Sequence, residues 1–300
     1  MKIANPVNSE VRTDDHPTGV LGFRYLLEGK ENTPENFVML IAENLGHFEM
    51  VQHRHNFDQF RFTLSGQMNL GRGRVLREGD LCYFPEGTSY GPQDDPAGPV
   101  VLVVQFGGAS GYGYMSSSQY LEGRESLKQT GRFEGPVFIR EENGRTIKKF
   151  SINAIWEKSM GQRMLIPAPR YDDVIIMKPA AYRWTPVRPD QGVFRKLLGS
   201  FTERGTTAEM IKVTQGATFN IAAVNAIRLF FVREGSGRLN GELLEQHFGA
   251  QVEPGETGVL SANSDIELLV FTMPMLGEDW LDAQLPSVET QPGESVRDPA

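Results

Sequence analysis

Residues 53–66 read His53-Arg54-His55-Asn56-Phe57-Asp58-Gln59-Phe60-Arg61-Phe62-Thr63-Leu64-Ser65-Gly66. In an extended chain, alternate side chains share a face. His53, His55, Phe57, Gln59 and Arg61 therefore point one way, and Phe60, Phe62 and Leu64 the other. A polar face opposed to an apolar one describes a barrel strand. Its inner side lines a pocket and its outer side packs on a second layer. Asp58 is one residue out of phase and is expected to face away. It becomes a ligand only if a bulge shifts the register.

Downstream lies Gly79-Asp80-Leu81-Cys82-Tyr83-Phe84-Pro85-Glu86-Gly87-Thr88-Ser89-Tyr90. The two stretches together resemble the paired signature motifs of the cupin superfamily. The first family motif is HxH, then Glu, then Gly; His53, His55 and Gly66 match, and Gln59 stands where Glu belongs. The second is Gly, then PxG, then His; Gly79, Pro85 and Gly87 match, and Tyr90 stands where His belongs. The resemblance implies a double-stranded β-helix barrel that holds a divalent transition metal (Fe, Zn, Ni, Co or Mn). On this reading the metal residues are His53, His55, Gln59 and Tyr90. Tyr90 serves as a phenolate ligand or as a general acid/base.

The rest of the chain agrees with an all-β fold. Gly and Pro punctuate it between short apolar runs at residues 37–42, 100–106, 174–177, 229–232 and 267–272, which are strand lengths rich in β-branched and aromatic residues. Residues 117–129 read as a helix with a serine cap. Phe23-Arg24-x-Leu26-Leu27 recurs as Phe194-Arg195-x-Leu197-Leu198, 171 residues on. At that offset Gly66 meets Gly237, and Arg77-Glu78-Gly79-Asp80 has a later counterpart in Glu253-Pro254-Gly255-Glu256. The prediction is two tandem cupin (jelly-roll) barrels at 15–135 and 165–275, with a loose tail at 285–300. Tyr171, Tyr182, Trp184 and Arg188 open the second barrel, their aromatics at the inter-barrel interface. Two registers give Ala222, Val224 and Arg228, or Val224, Ala226 and Phe230, at the ligand places of the second barrel. Ser261, Asn263 and Ile266 fall at its second motif. Neither register supplies a metal ligand, so the second barrel is expected to be silent.

Composition sets outer limits. The chain has 300 residues, a net charge of −8, one cysteine and five histidines. The acidic balance counts against nucleic-acid or anionic-membrane partners. One cysteine excludes an internal disulfide and a Cys-rich metal site; Cys82 reads as a core thiol. No apolar run is long enough to span a membrane as a helix. A cytoplasmic homodimer acting on a small molecule is expected.

The two departures from the family pattern bear on chemistry. A neutral amide at Gln59 in place of a carboxylate leaves a bound ion with more positive charge, which favours anionic substrates and Lewis acidity over oxygen activation. Cupins with Gln or Tyr at these places resemble isomerases and lyases. Arg61 then orients a substrate carboxylate, or alternatively pairs with a neighbouring strand. Rival readings are an Fe(II)-type bicupin dioxygenase and a non-catalytic metabolite-binding cupin. His47 is a further candidate base or an exposed histidine, and the glycine-rich residues 106–114 form a lid or a linker.

Overall fold

The computed structural model describes residues 1–275 other than 10, 17–18, 72, 97, 136 and 188–190. The expected tail at 285–300 and Arg188 lie outside the described residues. Two seven-stranded antiparallel sheets dominate. The first runs in the order Ile175–Met177, Leu81–Phe84, Asp58–Ser65, Val100–Phe106, Phe37–Asn44, Gly19–Glu28, Val11–His16. The second runs Lys2–Ala4, Gly249–Val252, Arg228–Glu234, Ile266–Thr272, Thr207–Val213, Val193–Ser200, Thr185–Pro186. A four-stranded sheet faces the second, and the ribbons Gln67–Gly71 with Arg74–Arg77 and Phe48–Met50 with Gln93–Asp95 accompany the first. The fold is all-β, two barrels in tandem.

The apolar runs form strands because both of their faces are covered. Phe37, Met39, Leu102, Val104 and Phe106 enter a core shared by the two sheets, while Val38, Leu40, Val101 and Val103 enter a core inside the first barrel. The second sheet alternates in the same way. Ala208, Met210, Leu229, Phe231, Leu269 and Phe271 join the shared core, and Ile211, Phe230, Val232, Leu268 and Val270 fill the second barrel. Phe60, Phe62 and Leu64 pack in the shared core, as their phase predicts. The Phe60 ring lies 5.0 Å from Phe271 and 5.4 Å from Phe201. Tyr171, Tyr182 and Trp184 pack against the same core.

Each sheet borrows a strand from elsewhere in the chain. Lys2–Ala4 pairs with Gly249–Val252. Ile175–Met177 pairs with Leu81–Phe84 through Ile175–Tyr83 and Met177–Leu81, so the segment expected to open the second barrel completes the first sheet instead. Between the barrels, a helix at Ser117–Lys128 begins on a Ser116–Gln119 capping box. A three-stranded sheet and a second helix, Ser151–Met160, follow it. Leu127, Phe138, Ala154 and Ile155 form the core of this small layer. The sequence reading found the first helix and missed the remainder, although Asn143-Gly144, both at positive φ, marks a tight hairpin.

Candidate metal and proton-transfer site

The strand Asp58–Ser65 turns Gln59 and Arg61 into the first barrel. His53 and His55 precede that strand, so they share its face through a different device. His53 forms an isolated antiparallel bridge with Tyr90. Gly87 N donates to His55 O at 2.8 Å. The two sequence motifs are thus tied backbone to backbone.

The five residues singled out from sequence meet at one atom, the Tyr90 hydroxyl oxygen. It lies 3.0 Å from His53 Nε2 and 2.9 Å from His55 Nε2. Gln59 Nε2 donates to it at 3.1 Å and an Arg61 terminal nitrogen at 3.3 Å. Gln59 and Tyr90 are 0% and 2% exposed. The His55 ring stacks on Phe57 at 4.4 Å, and Phe57 meets Tyr114 edge-on at 5.3 Å. The Arg61 guanidinium lies over the Phe84 ring at 4.6 Å, and its other terminal nitrogen donates to Gln93 at 3.3 Å.

Electrostatics keep both imidazoles neutral. Burial lowers the pKa of His53, with Arg61 adding to the effect. Burial drives His55 well below the usual range, helped by His53 and Arg61. Burial raises the Tyr90 phenol, and the Arg61 charge opposes that rise. His53 Nδ1 lies 2.8 Å from the Val51 carbonyl, which only accepts, so its Nε2 carries the lone pair. The Tyr90 oxygen already accepts from Gln59 and Arg61, and its single proton can satisfy one imidazole. The second imidazole is left without a complement. A divalent cation among His53 Nε2, His55 Nε2 and the Tyr90 oxygen would satisfy all three. Ligands on an ion with bonds of about 2.1 Å stand about 3.0 Å apart at right angles and about 3.4 Å apart at tetrahedral angles, so the 3.0 and 2.9 Å between the Tyr90 oxygen and the two imidazoles fit ligands at right angles.

Gln59 departs from expectation. Its oxygen faces Arg61 Nε at 3.1 Å and Gln105 Nε2 at 3.1 Å, and its nitrogen, which cannot ligate, faces Tyr90. Arg61 has no acidic partner within ion-pair distance among the described residues, against the alternative of a cross-strand salt bridge. Asp58 faces away, as its phase predicts, and accepts from Glu86 N at 2.8 Å. Cys82 is a buried thiol whose pKa burial raises. His47 pairs with Asp94 at 2.6 Å on the surface, beside Glu49. These three offer ligand atoms within 4.8 Å of one another, all exposed. Ser110, in the glycine-rich segment, hydrogen-bonds Glu86 through its backbone N at 2.8 Å. The sequence reading missed Gln105 and Gln93, and placed Tyr114 only within the glycine-rich lid or linker. The signal for Gln105 was an amide at the end of an otherwise apolar run, directly paired with Gln59 across the strands.

The second barrel has the same hydrogen-bond frame without the chemistry. Gly255 N donates to Val224 O at 2.8 Å, as Gly87 N does to His55 O. His247 N donates to Val232 O at 2.7 Å, as Gly79 N does to Thr63 O at 2.9 Å. These matches select the register that puts Ala222, Val224 and Arg228 opposite His53, His55 and Gln59. They also correct two counterparts. Glu253-Pro254-Gly255 answers Pro85-Glu86-Gly87, not Arg77–Asp80, and Gly66 answers Gly235, not Gly237. The Pro and Gly places of the second motif therefore fall at Glu253 and Gly255, not at Ser261 and Asn263, with Gly258 in place of Tyr90. Apolar side chains occupy that interior.

No protein-family model and no curated protein matches the sequence. Solved structures match over most of its length. A candidate dioxygenase from Nostoc punctiforme is 10% identical, with a TM-score of 0.60, over 92% of this chain and 83% of that one. HEPD from Streptomyces albus, with its substrate 2-hydroxyethylphosphonate and Fe(II) bound, is 16% identical, with a TM-score of 0.54, over 95% and 79%. A mutant of oxalate decarboxylase from Bacillus subtilis is 14% identical, with a TM-score of 0.52, over 92% and 78%. The fold is that of a bicupin, the tandem cupin barrel.

Proposed function

We propose that this chain is a metal-dependent bicupin enzyme that acts on a small acidic organic molecule by proton transfer, as an isomerase or lyase. The observation that carries the reading is the convergence of His53, His55, Gln59 and Arg61 on the Tyr90 oxygen, within 3.3 Å. His53, His55 and Tyr90 would hold a divalent transition metal of the Fe, Zn, Ni, Co or Mn type. Bound there, such an ion supplies a Lewis acid that polarises a substrate carbonyl or carboxylate.

The chain's own residues do the rest. Arg61 is a half-buried cation without an acidic partner among the described residues, and such a group is costly unless an anion meets it. A substrate carboxylate is the complement it lacks. The Tyr90 oxygen stands 3.3 Å from the same guanidinium. A carbon acid anchored on Arg61 would present its proton towards that oxygen, and Tyr90, as the phenolate that a bound cation would favour, would take the proton and return it as the phenol. Phe57, Phe84 and Tyr114 wall the site with rings and limit water.

The test begins with protein purified without chelator. Bound or readily taken-up stoichiometric metal supports the proposal; none of either kind overturns it. A small-acid library screened by thermal shift, with and without metal, then yields candidate ligands. Turnover of a hit without oxygen uptake fits the isomerase or lyase. Oxygen uptake with catechols, gentisate or flavonols makes the enzyme a dioxygenase instead. Binding without turnover makes the chain a metabolite-binding module.

A further inference from the structure

The orientation of the Gln59 amide follows from groups that can only donate. Arg61 Nε has no lone pair, so the Gln59 atom that faces it at 3.1 Å is the carbonyl oxygen. The Gln105 atom that faces the same oxygen at 3.1 Å must then be its amide nitrogen. That turns the Gln105 oxygen to the Tyr114 hydroxyl, which donates to it at 3.0 Å. The nitrogen left to Gln59 points at the Tyr90 oxygen, 3.1 Å away. Gln105 and Gln59 are register partners on adjacent strands, so the backbone sets their separation. Gln59 is 0% exposed, and no bulk water competes for its amide.

We propose that Gln105 is a positioning residue of the site. With Arg61 it locks the Gln59 amide so that Gln59 serves as a hydrogen-bond donor to the Tyr90 oxygen and not as a metal ligand. Tyr114 fixes Gln105 in turn. The chain Tyr114–Gln105–Gln59–Tyr90 runs in one donor direction, from the glycine-rich segment to the centre of the barrel. A flipped Gln59 would set its nitrogen against Arg61 Nε, which can only donate, and would force Gln105 to turn with it and give up its bond from Tyr114. The role of the lock in the reaction rests on the reading of His53, His55 and Tyr90 as the site. The orientation itself does not.

The experiment follows the Gln59 side-chain amide by 15N NMR in metal-free, full-length protein. The signal is assigned by its loss in Gln59→Leu. In wild type it should be shifted and slow to exchange with deuterium. In Gln105→Met, which keeps the shape and removes both bonds, exchange of that amide should quicken about tenfold, with backbone signals of the second barrel unchanged. Gln105→Glu puts an acceptor against the Gln59 oxygen and should move the signal further. An unchanged Gln59 signal in both variants overturns the lock. Co(II) titration supplies the second readout. Gln59→Leu should weaken Co(II) binding by about tenfold, the loss of a single outer hydrogen bond to a ligand, whereas His53→Ala should lose it. A loss with Gln59→Leu as large as with His53→Ala would make Gln59 a ligand and overturn the proposal. If wild type takes up no ion, the metal reading fails, and the NMR result still decides the lock.

Discussion

His53 and Tyr90 hold each other twice. Their backbones exchange hydrogen bonds of 3.1 and 3.0 Å, and His53 Nε2 lies 3.0 Å from the Tyr90 hydroxyl. Tyr90→Phe keeps the bridge and the ring but removes the oxygen on which the site converges. The Gln59 amide and an Arg61 N–H then lose their acceptor in a buried place. Stability should fall by about 1–3 kcal/mol, the cost of stranded buried donors. Metal uptake should weaken at least about tenfold if the phenol oxygen is a ligand. Urea denaturation and ion titration check the two effects separately, and an unchanged variant on both counts removes Tyr90 from the site.

Two glycines at matching places in the barrels should respond differently to the same substitution. Gly87 has φ of 78°, and a Cβ there would stand 2.3 Å from Pro167 O and 3.1 Å from Pro169 N. Both are backbone atoms, which cannot rotate away. Gly255 has φ of 75° and meets nothing within 4 Å. Gly255→Ala should cost about 1 kcal/mol, for the left-handed conformation alone. Gly87→Ala should cost about 3 kcal/mol or more and should also displace His55, whose carbonyl accepts the Gly87 N–H. Denaturation curves of equal midpoint for the two variants would contradict this.

That pairing also shows what the sequence could and could not reveal. The alternation of Phe60, Phe62 and Leu64 against Gln59 and Arg61 was legible, because a strand's period of two needs no tertiary knowledge. The duplication was expected from Phe23-Arg24 and Phe194-Arg195, but the strand registers set Arg24 opposite Lys196, one residue past that match. The register between the copies was not legible, because their turns differ in composition. His247, at φ 69°, occupies in the second barrel the tight-turn place that Gly79, at φ 82°, takes in the first. A motif search keyed on glycine passes over it and assigns Gly255 one turn too early. Ile175–Met177 was legible as a strand, but which sheet it joins depends on a partner, Leu81–Phe84, far away in the chain. The side-chain identities of the site were legible from spacing. The direction of the Gln59 amide was not, since it depends on Gln105 from another strand.

Added metal should stabilise the folded chain through the barrel site and not through the surface group. A cation that binds only the folded form at a hundredfold excess over its dissociation constant adds about 2.7 kcal/mol. Wild-type protein titrated with Co(II), Zn(II), Ni(II), Mn(II) or Fe(II) should therefore melt several degrees higher with at least one of them, and chelator should reverse the gain. His55→Ala should lose the effect. His47→Ala, which breaks the exposed pairing with Asp94, should keep it. The reverse pattern would move the metal to the surface group of His47, Glu49 and Asp94.

Asp58 should give the folded chain a stability that declines as pH rises. It is fully buried, and its Oδ1 accepts from the Glu86 N–H. Burial, followed by the charge of nearby Glu86, raises its pKa from 3.8 to about 7, while the Glu86 N–H, the Tyr83 hydroxyl and the Arg170 charge pull the other way. Arg170 pairs with Glu86 at 2.5 Å and with Glu203 at 2.6 Å, so it is committed elsewhere. Below about pH 4 the carboxyl is protonated in both the folded and the unfolded chain, and it costs nothing. Between about pH 4 and 7 the unfolded chain releases the proton and the folded chain keeps it, so stability falls across that window, by on the order of 3–4 kcal/mol. Asp58→Asn keeps an oxygen for the Glu86 N–H and cannot ionise. The variant should match wild type near pH 4 and exceed its stability near pH 8. Urea midpoints across the range test this. Parallel curves for the two proteins would mean that Asp58 is ionised in the fold, with its charge balanced by a group other than Arg170.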